Sequence, residues 1–317
     1  LGAFIQDIFT PLPKLTLTLS ARVDHWSNYD GHNLETTVAT GQPAPGNVPE
    51  LPDRSDTVAS PRLAASYQVT ERVTAWGDVS WGFRAPTLNE LYRQFRVGTV
   101  LTLANYNLGP ERLNGGEMGV SVAATEDVTV RATWFDNRIK NPVSNVTIMT
   151  VGANVTQQRQ NLGATRVWGL QTDVEYRMGT LFRVGGAYLY DQATVEENVA
   201  NPALVGKYLP QVPEHRGSMQ FSYTEPRFVN LAFGLQFVGR QFDDDLNVRT
   251  VPGQADPGLP GFVTADFRAS RDITRNFDVF VGVQNLFGEL YYVGTLPTTI
   301  GTPRLVHGGF RFTFSGR

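Results

Sequence analysis

The chain has 317 residues, with 27 Lys and Arg against 30 Asp and Glu and a formal net charge of -3. This balance excludes a strongly basic nucleic-acid binder on bulk charge, and a charged fraction of 18% excludes charge-driven disorder. The absence of cysteine excludes disulfides, thiolate metal sites and Cys nucleophiles.

Period-two alternation runs from end to end and predicts strands throughout. The first covers Gly2 to Phe9. Leu15, Leu17, Leu19, Ala21 and Val23 then alternate with Thr16, Thr18, Ser20, Arg22 and Asp24. Val73 to Trp81, Glu117 to Val122, Trp168 to Tyr176, Val229 to Phe237, Val263 to Ser270 and Phe277 to Gln284 repeat the pattern. The last strand alternates Phe310, Phe312 and Phe314 with Arg311 and Thr313. The one helical expectation is a turn or two between Thr87 and Phe95. No apolar run is long enough for a transmembrane helix.

Alternation alone also fits a soluble β-sandwich. Two features favour a membrane barrel. Many strands reach roughly 9 or more residues, the length that crosses a bilayer when tilted. The connections also sort by length. Short ones fall at Thr70-Glu71-Arg72, Thr125-Glu126-Asp127, Gly179-Thr180, Glu225-Pro226 and Thr274-Arg275-Asn276. Long ones cover Asp30 to Asp56, Arg84 to Pro110, Thr147 to Arg159, Val195 to Lys207, Asp244 to Pro260 and Val293 to Thr302. Outer-membrane barrels have short periplasmic turns and long external loops. Trp26, Tyr29, Trp81, Trp134, Tyr190, Tyr223, Phe242, Tyr291 and Tyr292, near strand ends, fit interfacial girdles. The expected fold is all-β, an antiparallel transmembrane β-barrel. About thirteen strands is an odd count where even counts rule. Together with an opening on Leu1, this marks a C-terminal portion with further strands before it.

The chain now resembles a known family. Trp81-Gly82-Phe83-Arg84-Ala85-Pro86-Thr87-Leu88-Asn89-Glu90-Leu91-Tyr92 is similar to the G-F-R-A-P-x-x-x-E-L-Y signature of TonB-dependent outer-membrane receptors. Asn105-Tyr106-Asn107-Leu108-Gly109-Pro110-Glu111 resembles their N-P-N-L-x-P-E motif, with Tyr106 in place of Pro. Gly116-Glu117, Asn161-Leu162-Gly163 with Gly169-Leu170, Pro213-Glu214-His215-Arg216 and Gln284-Asn285-Leu286-Phe287 follow in the family's order. The departure is Ser315-Gly316-Arg317 after Phe314, where the family usually stops on an aromatic.

The resemblance implies residues 1–317 as the C-terminal part of a barrel of about 22 strands, without the plug domain and TonB box that precede it. It implies a place in the bacterial outer membrane, in contact with its lipids. It also implies coupling to the TonB complex through the N-terminal part and assembly through the C-terminal strand by the barrel assembly machinery. The expected function is energy-coupled uptake of a scarce solute bound at the external loops. A ferric siderophore comes first, cobalamin second, carbohydrate or haem behind. A passive porin-like barrel and a soluble β-rich binding module are the alternatives. Phe83, Arg84, Ala85, Pro86, Asn105, Asn107, Leu108, Pro110 and Glu111 are expected to be architectural, holding a long loop to the wall. Tyr92, Arg93, Arg96 and Tyr106 are the candidate ligand-binding residues, because Arg and Tyr hold an anionic chelate by charge-assisted bonds and ring contacts.

Enzymatic chemistry and resident cofactors are not expected. His25, His32, His215 and His307 are the only histidines, and no G-x-S-x-G, P-loop or H-E-x-x-H occurs. The interval Thr87 to Ala104 lacks the histidine that haem receptors of the family carry between the two loop motifs. Asp243-Asp244-Asp245 with Asn247 offers oxygen ligands for calcium, but the spacing matches no defined calcium loop and reads rather as a solvated external loop.

Overall fold

The computed structural model describes residues 1–44, 47–225 and 228–314. Thirteen strands form one sheet, each hydrogen-bonded to the next in chain order. They are β1 (Gly2–Leu12), β2 (Leu15–Asn28), β3 (Arg54–Gln68), β4 (Val73–Arg84), β5 (Glu111–Ala123), β6 (Val128–Lys140) and β7 (Ala164–Met178). The rest are β8 (Phe182–Glu197), β9 (His215–Glu225), β10 (Val229–Val238), β11 (Phe262–Thr274), β12 (Phe277–Gln284) and β13 (Leu305–Phe312). Every neighbouring pair is antiparallel.

The register shows why the sequence alternates. Ser121, Arg131, Asp173, Ala187, Ser218 and Gln236 lie in one cross-strand row. One residue along, Val122, Val130, Val174, Gly186, Met219 and Leu235 form the next row. Successive rows point to opposite faces, so the sheet has one polar and one apolar face. The apolar face is bare: Trp81 is 50%, Met118 59% and Val281 44% exposed. A sheet in water buries at least one face to offset its chain entropy. This one exposes its hydrophobic face instead.

Connections at one end are short, spanning residues 13–14, 69–72, 124–127, 179–181 and 275–276. Pro226 of the expected Glu225-Pro226 turn lies outside the described residues, as do Ser315, Gly316 and Arg317. At the other end they cover residues 29–53, 85–110, 141–163, 198–214, 239–261 and 285–304. These long connections form an ordered crown. Phe95–Val97, Val100–Leu103, Val143–Val151 and Asn154–Asn161 build a four-stranded sheet from two different connections. Parallel pairing of Val155 to Gln158 with Val100 to Leu103 joins them. Val146, Leu162, Val195 and Leu204 form a buried cluster, with Leu209 and Leu246 packed against it.

Some sequence expectations change. Phe242 stacks on Tyr208 within the crown, and Tyr291, in the 285–304 connection, stacks on Phe262 at the start of β11. Phe314 lies beyond the end of β13. Pro61 sits inside β3, opposite Ala21 of β2. Proline has no N–H for a second ladder, and pairing of β3 with β4 begins only at Arg62.

Candidate functional site

The crown is fastened to the wall where β4 ends and β5 begins. Arg84 and Glu111 are register partners on these strands. The Arg84 guanidinium donates to both Glu111 oxygens, Nε to Oε2 at 2.8 Å and Nη2 to Oε1 at 2.6 Å. Its Nη1 donates to Glu90 Oε2 at 2.8 Å. Such planar, bidentate charge-assisted pairing fixes geometry as well as energy. The intervening sequence turns at once into a short helix, α1 (Leu88–Tyr92). Thr87 and Glu90 form its capping box, each side chain accepting from the other's backbone N–H.

Glu90 therefore serves the cap and the ion pair together. Burial pushes its carboxyl upward, but the Arg84 guanidinium and the Thr87 donors outweigh burial and hold it below the usual carboxylate range. Pro86, Leu91 and Leu108 are buried. Phe83 and Ala85 are half-buried beside them.

The second motif locks the crown from the other side. Asn105 Oδ1 accepts from the Asn107 N–H at 3.0 Å, while its Nδ2 donates to the Arg159 carbonyl at 2.8 Å. The Gly109 N–H donates to Asn161 Oδ1 at 2.7 Å, and Asn161 Nδ2 donates to the Gly109 and Asn141 carbonyls. Pro110 follows, half-buried, just before β5.

The candidate binding residues divide. Tyr92 and Tyr106 meet in a cleft of about 200 Å3 that Leu51, Leu91 and Gln158 also line. Arg93 and Arg96 are exposed and do not line this cleft. Two further guanidiniums meet this connection: Arg54 donates to the Tyr106 carbonyl at 2.7 Å, and Arg159 donates to the Asn89 and Arg93 carbonyls and lies 5.2 Å over the Phe95 ring. Sequence reading passed over Arg159, since its partners are backbone atoms 66 and 70 residues away.

The solvated loop expected at Asp243 to Asp245 is instead a packed segment of the crown. Asp244 is 3% and Asp245 7% exposed. Each of the three carboxylates serves as a tie. Asp243 accepts from Thr295 N and Oγ1, Asp245 accepts from Thr147 N and Oγ1, and Asp244 caps the Val248 and Arg249 amides. Asn247 binds the Tyr208 backbone. One short segment thus joins four connections. Among the described residues no group of three or more His, Cys, Asp or Glu is placed to hold a metal ion.

The histidines serve the wall and loops. His215 Nδ1 lies 2.7 Å from the Tyr188 hydroxyl on the apolar face, and His25 Nδ1 lies 2.9 Å from Thr57 Oγ1. His307 sits over Gly282, and His32 is near the Asp30 carbonyl.

Known proteins share this architecture. The chain is 22% identical to the iron-regulated outer membrane virulence protein of Vibrio cholerae serotype O1 over 299 residues. That match covers 91% of the chain and 40% of the relative. It is 26% identical to the metal-pseudopaline receptor CntO of Pseudomonas aeruginosa over 245 residues, 74% of the chain and 30% of that receptor. The solved copper transporter OprC superposes with a TM-score of 0.75 at 16% identity, over 99% of the chain and 48% of OprC. The chain thus spans less than half the length of each. The profile of the family described as TonB dependent receptor-like, beta-barrel matches residues 1–286. On that match, this outer-membrane chain belongs to the TonB-dependent receptor-like β-barrel family, a family of receptors and not of enzymes.

Proposed function

We propose that the chain is the C-terminal portion of a closed transmembrane barrel of about 22 strands, in an energy-coupled outer-membrane receptor that imports a metal chelate. The observation that carries this reading is the two-faced sheet with its ordered crown: a bare apolar face suits lipid, and a charged face suits a wet interior. The full-length relatives support a metal-bearing solute by name, one iron-regulated, one a metal-pseudopaline receptor, one a copper transporter. A ferric siderophore is the first candidate ligand and cobalamin the second.

In this reading Phe83, Arg84, Ala85, Pro86, Asn105, Asn107, Leu108, Pro110 and Glu111 hold the crown to the wall. Tyr92 and Tyr106 give the solute aromatic contact in their shared cleft, and the exposed Arg93 and Arg96 add charge from the same connection. TonB acts through polypeptide N-terminal to this portion. The barrel assembly machinery reads the C-terminal strand.

Uptake of labelled ferric siderophores and cobalamin by iron-starved cells carrying the full natural protein tests the reading, with the TonB system intact or deleted. Uptake of one of them that collapses on deletion is the expected result. Uptake at the same rate without TonB points to a passive pore and overturns energy coupling.

A further inference from the structure

A chamber of about 610 Å3 lies between the crown and the wall and shares no lining residue with the tyrosine cleft. That is the size of a small-molecule site. Its charge is one-sided. Glu90, Glu111, Asp243, Asp244 and Asp245 line it, against the single lining guanidinium of Arg159. Arg84 answers Glu90 and Glu111 together from behind. The aspartates accept from hydroxyls and amides, which leave their charge in place. Among the described residues none of the three has an ion-pair partner.

A second observation is independent of the carboxylates. Thr165 lines the same chamber and is 0% exposed, yet its Oγ1 has no hydrogen-bond partner. A buried hydroxyl left open in this way carries an uncompensated desolvation penalty, which a donor or acceptor entering the chamber would relieve.

The donor set also sorts the cations. Among the described residues no group of three or more carboxylates or histidines is placed to hold a metal ion. Ile139, Val143, Leu162, Leu209 and Val212 supply apolar wall between the charged groups. Alkyl surface beside unanswered carboxylates and an open hydroxyl matches an organic ammonium on a short carbon chain. We propose that the crown chamber bounded by Thr165 and the Asp243–Asp245 segment binds an alkylammonium group, borne by a free solute or by a larger one. The same charge disfavours an anionic chelate in this chamber. The proposal does not rest on the metal-chelate reading, since either ligand can bind without the other.

The test is calorimetric titration of the full natural protein in detergent with 1,5-diaminopentane, and with 1,5-pentanediol as its neutral match. Saturable binding of the diamine alone is expected. The pair Asp243→Asn and Asp245→Asn should weaken it about tenfold or more. Asparagine preserves the ties, its oxygen accepting from the amide and its NH2 donating to the threonine hydroxyl. Thr165→Val, which breaks no tie between loops, should weaken diamine binding severalfold without lowering the melting temperature. This second variant keeps the test open if the aspartate pair misfolds. Failure of the wild-type protein to bind the diamine overturns the proposal. So does equal binding of the diol, or diamine affinity unchanged in a folded variant.

Discussion

Glu90 joins three roles in one carboxylate: cap of α1, partner of Arg84 and half of the clasp that Glu111 completes. Its folded-state value is held below the ordinary 4.5. A carboxyl depressed in this way adds stability that is fully present above its unfolded value and lost as pH falls through the folded one. The crown's hold on residues 85–110 should therefore be constant near neutrality and loosen only in acid. Amide hydrogen exchange of that segment, corrected for intrinsic rates, should show protection falling below about pH 4.5. In Glu90→Gln the protection should be lower near neutrality and lose much of this pH dependence. An equally steep acid response in Glu90→Gln would move the sensitivity to another group.

At the scale of elements, the backbone of β8 and the Phe135 ring of β6 close on Gly169 of β7. A Cβ there would stand 2.0 Å from the Tyr190 carbonyl oxygen and 2.9 Å from the Phe135 ring. Backbone cannot yield as a side-chain tip does, so Gly169→Ala should destabilise the wall by about 1–3 kcal/mol. Thermal unfolding in detergent checks this. An unchanged melting temperature would show that the strands can separate there at no cost.

This glycine belongs to a motif visible in the sequence, and the wall as a whole was legible there. A strand between two different environments must alternate, and a slip of one residue reverses every side chain. The crown was not legible for the opposite reason. Asp245 and Thr147 are bonded across 98 residues, and Gly109 and Asn161 across 52. Neither bond leaves a local pattern. The Asp triplet read as solvated because charge predicts exposure on average, and only the fold supplies the hydroxyls that let it be buried. Thr87 and Glu90, three residues apart, lie between these cases, and their capping box accounts for the short helix expected after Pro86.

For the whole molecule, the central claim is that the two faces of the thirteen-stranded sheet meet different solvents. In the proposed barrel the apolar rows meet lipid, and the polar rows meet an aqueous interior. These 317 residues hold no cysteine, so single spin labels can be placed among them once any cysteine elsewhere in the protein is replaced. Leu170 and Gln171 are adjacent on β7 and, by alternation, face opposite ways. Each is replaced by a labelled cysteine in the full natural protein in bilayers. Relaxation by oxygen, which concentrates in lipid, is then compared with relaxation by a water-soluble nickel chelate. The account predicts that the label at 170 responds chiefly to oxygen and the label at 171 to the nickel chelate. The same reversal should recur at Val174 and Glu175. Nickel access at both 170 and 171 would contradict the claim, because it would put water on the face assigned to the membrane.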